Sequence, residues 1–235
     1  MDSSIIILSQ EQRKELTTIS ENISDYVMAK YYTLSEEDIY HIHTHRRDTN
    51  KLGFAIQLCC IKYPGWGFTS TKDIPEKVLN YVSKQLDISP ISIHSYGERK
   101  NTRAKHIEEI CIWYGYKPFT ENESNSLEKY ILQKAIVNDE PLSLVKSGID
   151  FLRNNKIILP GITTIERIVR KICTNIETSL FSDIYSCLVP EQCRLLDKII
   201  ESQDEKVMTV LGMLRNITGQ CSPQAFNDVA DKLKQ

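Results

Sequence analysis

The chain has 235 residues, 41% of them hydrophobic and 26% charged, with a formal net charge of −2. These are ordinary values for a globular protein and leave room for two modest domains. No apolar run approaches the roughly 18 residues of a membrane span, and the start, MDSSIIILSQEQRKEL, has no basic segment ahead of its short apolar stretch, so no secretory leader is expected. Seven cysteines, an odd number without C-x-x-C spacing, read as reduced core thiols of a cytosolic protein and exclude a disulfide framework and a thiolate zinc site.

Taken in chain order, helix signals dominate. SQEQ (Ser9 to Gln12) and TLSE (Thr33 to Glu36) have the spacing of a capping box, in which a hydroxyl and a later acid or amide satisfy the free N–H groups of a helix start. HIHTH sets His41 and His45 four residues apart; such a pair can chelate a metal, but no third ligand is evident, and a solvated face is the commoner outcome. Arg46, Arg47, Asn50 and Lys51 precede an apolar helix through Leu52, Ile56, Cys59 and Cys60, which ends in the YPGWGF turn. The arginines suit phosphate and Asn50 a base edge; pairing of the arginines with Glu36, Glu37 or Asp48 is the alternative.

Pro75, Pro90, Pro141, Pro190 and Pro223 each sit where a first helical turn tolerates a missing N–H. Val78, Val82 and Leu86 repeat at helical spacing after Pro75. Asp87, Ile88 and Ser89 then make a turn, and a second short helix runs through Ile91, Ile93 and Tyr96. This is the layout of a helix-turn-helix, whose second helix would expose Ser92, His94 and Ser95 to a major groove. GERKNTRAKH follows, with Arg99, Lys100, Arg103, Lys105 and His106 opening a helix capped by Asn101 or Thr102 and anchored by Ile107, Ile110, Cys111 and Tyr114. A cationic helix start favours phosphate; a solvated charged end is the bland alternative.

TENESNS (Thr120 to Ser126) is polar and marks an expected boundary, giving domains 1–125 and 126–235. NKIILPG reads as a linker. TTIE (Thr163 to Glu166) reads as a capping box opening an amphipathic helix with Ile165, Ile168, Val169, Ile172, Cys173 and Ile176 on one face. Thr164, Arg167, Arg170 and Lys171 then offer a second contact, either to DNA or to protein. The expected fold is all-α, in two helical subdomains with little or no sheet. No motif of a phosphate loop, dinucleotide fold, serine hydrolase or zinc protease occurs, so no catalytic residue, cofactor or metal is expected.

Charge is distributed unevenly. From Tyr40 to Lys117 there are twelve Lys and Arg against seven Asp and Glu, a local +5, while the remainder carries −7. Such asymmetry suits a polyanion site.

YYTLSEEDIYHIHTHRRDTNKLGFAIQLCCIKYPGWGF resembles the N-terminal region of the Tn-three family of replicative transposases, with its LGFA-QL-YPG phrase. The resemblance continues through QLDISPISIHSYGERKNTRAKHIEEICIWYGYKPF, with the R-x-x-T-x-x-x-H phrase at Arg99, Thr102 and His106, and on to FLRNNKIILPGITTIERIV and LVPEQCRLLDKII. Arg47, Leu52, Gly53 and Phe54 match the R-LGF phrase, Leu52 and Phe54 as expected core. The resemblance implies a bacterial, nucleoid-associated module that binds double-stranded DNA at transposon terminal inverted repeats. It implies a non-enzyme, because the family's magnesium-binding DDE domain lies beyond the matched region. The competing reading is a regulatory fragment that self-associates or docks to the catalytic region of a transposase.

Overall fold

The computed structural model describes residues 7–68, 70–97, 101–138 and 140–200, with side chains described to residue 198. Its helices are α1 (Gln10–Thr17), α2 (Asp25–Tyr32), α3 (Glu36–His43), α4 (Asp48–Lys62), α5 (Glu76–Leu86), α6 (Thr102–Tyr114), α7 (Glu121–Ala135), α8 (Pro141–Asn154), α9 (Ile162–Cys187) and α10 (Pro190–Ile200). Short 3-10 helices cover Thr71–Asp73 and Pro90–Ser95. The described residues contain no strand; a lone parallel bridge pairs Lys117 with Ile157. The fold is all-α, as the dominance of helical spacing implies. Among the described residues no helix is long and apolar enough to cross a membrane.

The first core is built around α4. Every residue from Leu52 to Ile61 is buried, so this helix is enclosed on all faces rather than on one stripe. It packs against α2, α3, α5, α6 and the second 3-10 helix. Leu127 and Ile131 of α7 and Leu144, Val145, Ile149 and Leu152 of α8 are buried in turn, as are Ile165, Ile168, Val169 and Ile172 of α9.

The described residues divide into two compact units between Asn175 and Ile176, not at the expected 125/126. Three contacts explain why α7, α8 and the start of α9 belong with the N-terminal helices. The Trp66 indole N–H donates to Pro160 O at 2.7 Å, Arg153 Nε donates to Pro64 O at 2.8 Å, and the Leu159 amide donates to Gly65 O at 3.0 Å. NKIILPG, expected as a linker, is thereby a packed connection to the YPGWG turn. The second unit contains the rest of α9 and α10, on which Phe181, Tyr185 and Leu195 are exposed.

Helix starts correct three expectations. Ser9 and Gln12 do form the α1 capping box. In TLSE, however, the cap is Ser35 with Asp38 as its partner, and Thr33 instead ends α2. The polar TENE at residues 120–123 is itself the capping box of α7, so its polarity marks a helix start and not a boundary. α9 begins at Ile162, with the Thr164 amide bonded to Gly161 O, so Thr163 lies inside the first turn and Glu166 is taken up by Arg13. Pro223 lies outside the described residues.

Asp38 is 2% exposed. Its Oδ2 accepts the Ser35 amide at 2.9 Å and the Lys62 ammonium at 2.7 Å. Burial alone would raise its pKa, but Lys62 and the Ser35 amide outweigh burial and hold it below the ordinary 3.8. A carboxyl depressed in the folded state contributes stability above its unfolded pKa and loses it as pH falls through the folded value. Asp38→Asn is therefore expected to cost about 2 kcal/mol at neutral pH, from the lost cap and charge-assisted bond. The cost should shrink toward zero as the medium is acidified below the wild-type Asp38 pKa. Urea melts of both proteins across the acid range check this; a gap independent of pH would contradict it.

Candidate nucleic-acid interface

The first basic cluster lies beside the 3-10 helix and the start of α6. Thr44, His45, Arg46, Arg47, Thr49 and Asn50, from the α3–α4 connection and the start of α4, line a cavity of about 420 Å³ together with Ser95, Gly97 and Thr102. Among the described residues, no carboxylate lines it. Arg46 and Arg47 are exposed. Among the described residues neither makes an ion pair: Asp48 takes Lys51 at 3.5 Å, and Glu37 lies 3.9 Å from His41. The alternative pairing of the arginines with Glu36, Glu37 or Asp48 is therefore not made.

Two helix starts share this cavity. Arg47 is the N-cap residue of α4 and Asn101 that of α6, and neither start has a side-chain cap, whereas α1, α2 and α3 are capped by serine hydroxyls. Amides left without an internal acceptor suit an anion, and the helix dipole adds to the attraction.

The expected helix-turn-helix segment has its first helix and its turn. α5 ends on Asp87 in a left-handed conformation, φ 53°, and Ile88 is buried in the turn with its amide on Ser83 O. The second element is a six-residue 3-10 helix. Ile93 and Tyr96 anchor it, while Ile91, His94 and Ser95 are exposed and Ser92 is partly so. Ser95 Oγ lies 3.3 Å from Thr49 Oγ1, which joins this segment to the arginine cluster.

Other expected contacts fall differently. Asn101 and Lys105 are exposed. Arg103 turns inward over Phe68 and Tyr96, its guanidinium carbon 5.9 and 6.0 Å from the ring centroids. Gly97, with φ 80°, lies against that guanidinium, where a Cβ would collide. His106 is a core residue, 4% exposed, with Nδ1 2.9 Å from the Tyr96 hydroxyl; its expected place at a phosphate is withdrawn. Arg99 and Lys100 lie outside the described residues. On α9, Thr164 is partly buried, Arg167 and Arg170 are exposed, and Lys171 pairs with Glu128 at 2.9 Å.

Behind the cavity lies a group that the sequence did not assemble. α3 ends at His43, so His41 and His45 do not share a helical face. His41 stacks on Trp113 at 4.3 Å between centroids. His45 instead meets His106 and Glu109 of α6. Burial lowers the His45 pKa, and burial followed by the neighbouring His45 lowers that of His106 to about 4. Burial raises that of Glu109. Glu109 is one helical turn beyond His106, which is the signal available in the sequence; that His45 joins them depends on how the α3–α4 loop folds back.

The sequence pattern of a family described as a domain of unknown function, DUF4158, matches residues 7–172. The chain is 39% identical over 230 residues to the transposase for transposon Tn1546 of Enterococcus faecium, covering 97% of this chain and 23% of that protein. It is 30% identical over 210 residues to the transposase for transposon Tn501 of Pseudomonas aeruginosa, covering 89% and 21%. Against the transposase for transposon gamma-delta of Escherichia coli K12 it is 25% identical, covering 96% and 23%. The chain thus spans less than a quarter of the length of these relatives. It belongs to the DUF4158 family and is homologous to the transposases of the Tn-three family.

Proposed function

We propose that this chain is a DNA-recognition module of a transposase, binding double-stranded DNA at transposon terminal inverted repeats. The observation that carries the reading is the cavity where Arg46 and Arg47, without ion pairs among the described residues, meet the starts of α4 and α6, neither with a side-chain cap, and whose described lining residues include no carboxylate. Phosphate oxygens fit such a place through bidentate guanidinium bonds and free amides. Base reading falls to the segment beside it, His94 and Ser95 on the 3-10 helix, in the manner of a helix-turn-helix, with Asn50, which also lines the cavity. Arg167 and Arg170 supply a weaker second contact on α9. In this reading strand-transfer chemistry belongs to the portion of the relatives that the chain does not match, and the module works in the bacterial cytoplasm at the nucleoid. The exposed Phe181, Tyr185 and Leu195 of the second unit favour a docking role for that unit, either to the catalytic region or to another copy.

Titration of labelled duplexes, one bearing the terminal repeat and one a scrambled sequence, tests the reading. The repeat should bind more tightly. Arg46→Ala/Arg47→Ala should weaken binding to both duplexes and lower the salt slope by about two units, one for each phosphate that is no longer neutralised. If the double variant binds as wild type at moderate salt, the cavity is not the phosphate seat. Equal affinity of wild type for the two duplexes would remove the sequence-specific part.

A further inference from the structure

We propose that His45, His106 and Glu109 form a binding site for a divalent transition-metal ion of the zinc class, which pins the arginine-bearing α3–α4 loop to α6. The donor atoms of the three residues all lie within 4.8 Å of one another. His106 and Glu109 are at i, i+3 on α6 and so share a face, and His45 reaches them from the loop that leads into Arg46 and Arg47.

Three observations support the assignment. First, His45 Nε2 and Glu109 Oε2 are buried and have no hydrogen-bond partner among the described residues, although they lie 3.5 Å apart. That separation is long for a hydrogen bond, and buried polar atoms left in this state are unusual. Second, metal–nitrogen and metal–oxygen bonds near 2.1 Å place tetrahedral ligands about 3.4 Å apart. The His45–Glu109 edge already has that length, and the widest pair must close by no more than about 1.4 Å. Third, His106 has an outer partner. Its Nδ1 is 2.9 Å from the Tyr96 hydroxyl; donation from Nδ1–H to that oxygen leaves the Nε2 lone pair for a metal and fixes the ring's orientation.

The donor set selects the ion. Two imidazoles and one carboxylate suit zinc and its neighbours, whereas magnesium and calcium take oxygen ligands. A fourth position remains for water. The site is independent of the DNA reading: it can hold metal whether or not the cavity beside it takes phosphate.

The test uses the full chain, treated with chelator and titrated with Zn²⁺ alone against a chromophoric competitor, then with Co²⁺ by visible absorption. One equivalent should bind and give the ligand-field bands of a four-coordinate N/O site. His45→Ala and Glu109→Gln should each lower affinity at least about tenfold, the loss seen even for outer-shell changes. His43→Ala and Cys187→Ser, both at exposed positions, should change nothing. Glu109 is half-buried and glutamine matches its shape, so this variant stays readable if His45→Ala fails to fold. Failure of wild type to hold one equivalent overturns the site, as does undiminished binding by Glu109→Gln.

Discussion

Gly53→Ala is expected to lower the melting temperature by about 10 °C, a loss of about 3 kcal/mol for a chain of this size. Gly53 sits inside α4, where helix propensity alone predicts that alanine would stabilise by about 1 kcal/mol. A Cβ at Gly53 would overlap the Cγ, Cδ2 and Cε2 ring carbons of Tyr96. That ring is 2% exposed and packs between Phe68 and His106, each 5.5 Å away between centroids. It cannot move without releasing its bond to His106 and lifting the 3-10 helix from α4. Propensity and packing therefore predict opposite signs, and a thermal melt decides between them. A variant as stable as wild type would mean that Tyr96 does not seat the 3-10 helix on α4. Gly53→Ala/Tyr96→Leu should recover part of the loss, since leucine vacates the space the ring occupied.

Arg13→Ala should cost about 3 kcal/mol and detach α1. Glu166 on α9 is 3% exposed, and Arg13 donates to its Oε1 from Nε at 3.1 Å and from the terminal nitrogen at 2.9 Å. Removing the arginine leaves a buried carboxylate without its cation, which costs about 3–5 kcal/mol when both partners are enclosed. Arg13 itself is 39% exposed in its side chain, so water compensates in part and the lower end applies. Arg13→Met/Glu166→Leu should restore much of the loss, because an apolar pair of similar volume needs no desolvated charge. Denaturant midpoints for the two variants measure this. Equal stability of Arg13→Ala and wild type would show that the pair holds nothing.

The helical class was legible from spacing alone. Val78, Val82 and Leu86, and the stripe from Ile165 to Ile172, recur as a helix face requires, and those apolar residues are buried. The α1 cap was legible for the same local reason, since Ser9 and Gln12 are three residues apart and satisfy each other's turn. The lining of the cavity was visible in part, since Arg46, Arg47 and Asn50 stand together before a helix and all three line it; the cations at the start of α6 are not among its described lining residues. What the sequence determined was thus whatever depends on neighbours within about one helical turn. Tertiary structure alone decided the rest. It turned Arg103 onto two aromatic rings and took His106 into the core, because a helix start presents only part of its circumference to solvent. It kept α7 and α8 with the first unit, because the YPGWG turn takes hydrogen bonds from Arg153 and Leu159 and Trp66 donates to Pro160, contacts that no local pattern encodes. It also brought His45 beside His106 and Glu109, a meeting set by how a short loop folds back on α6.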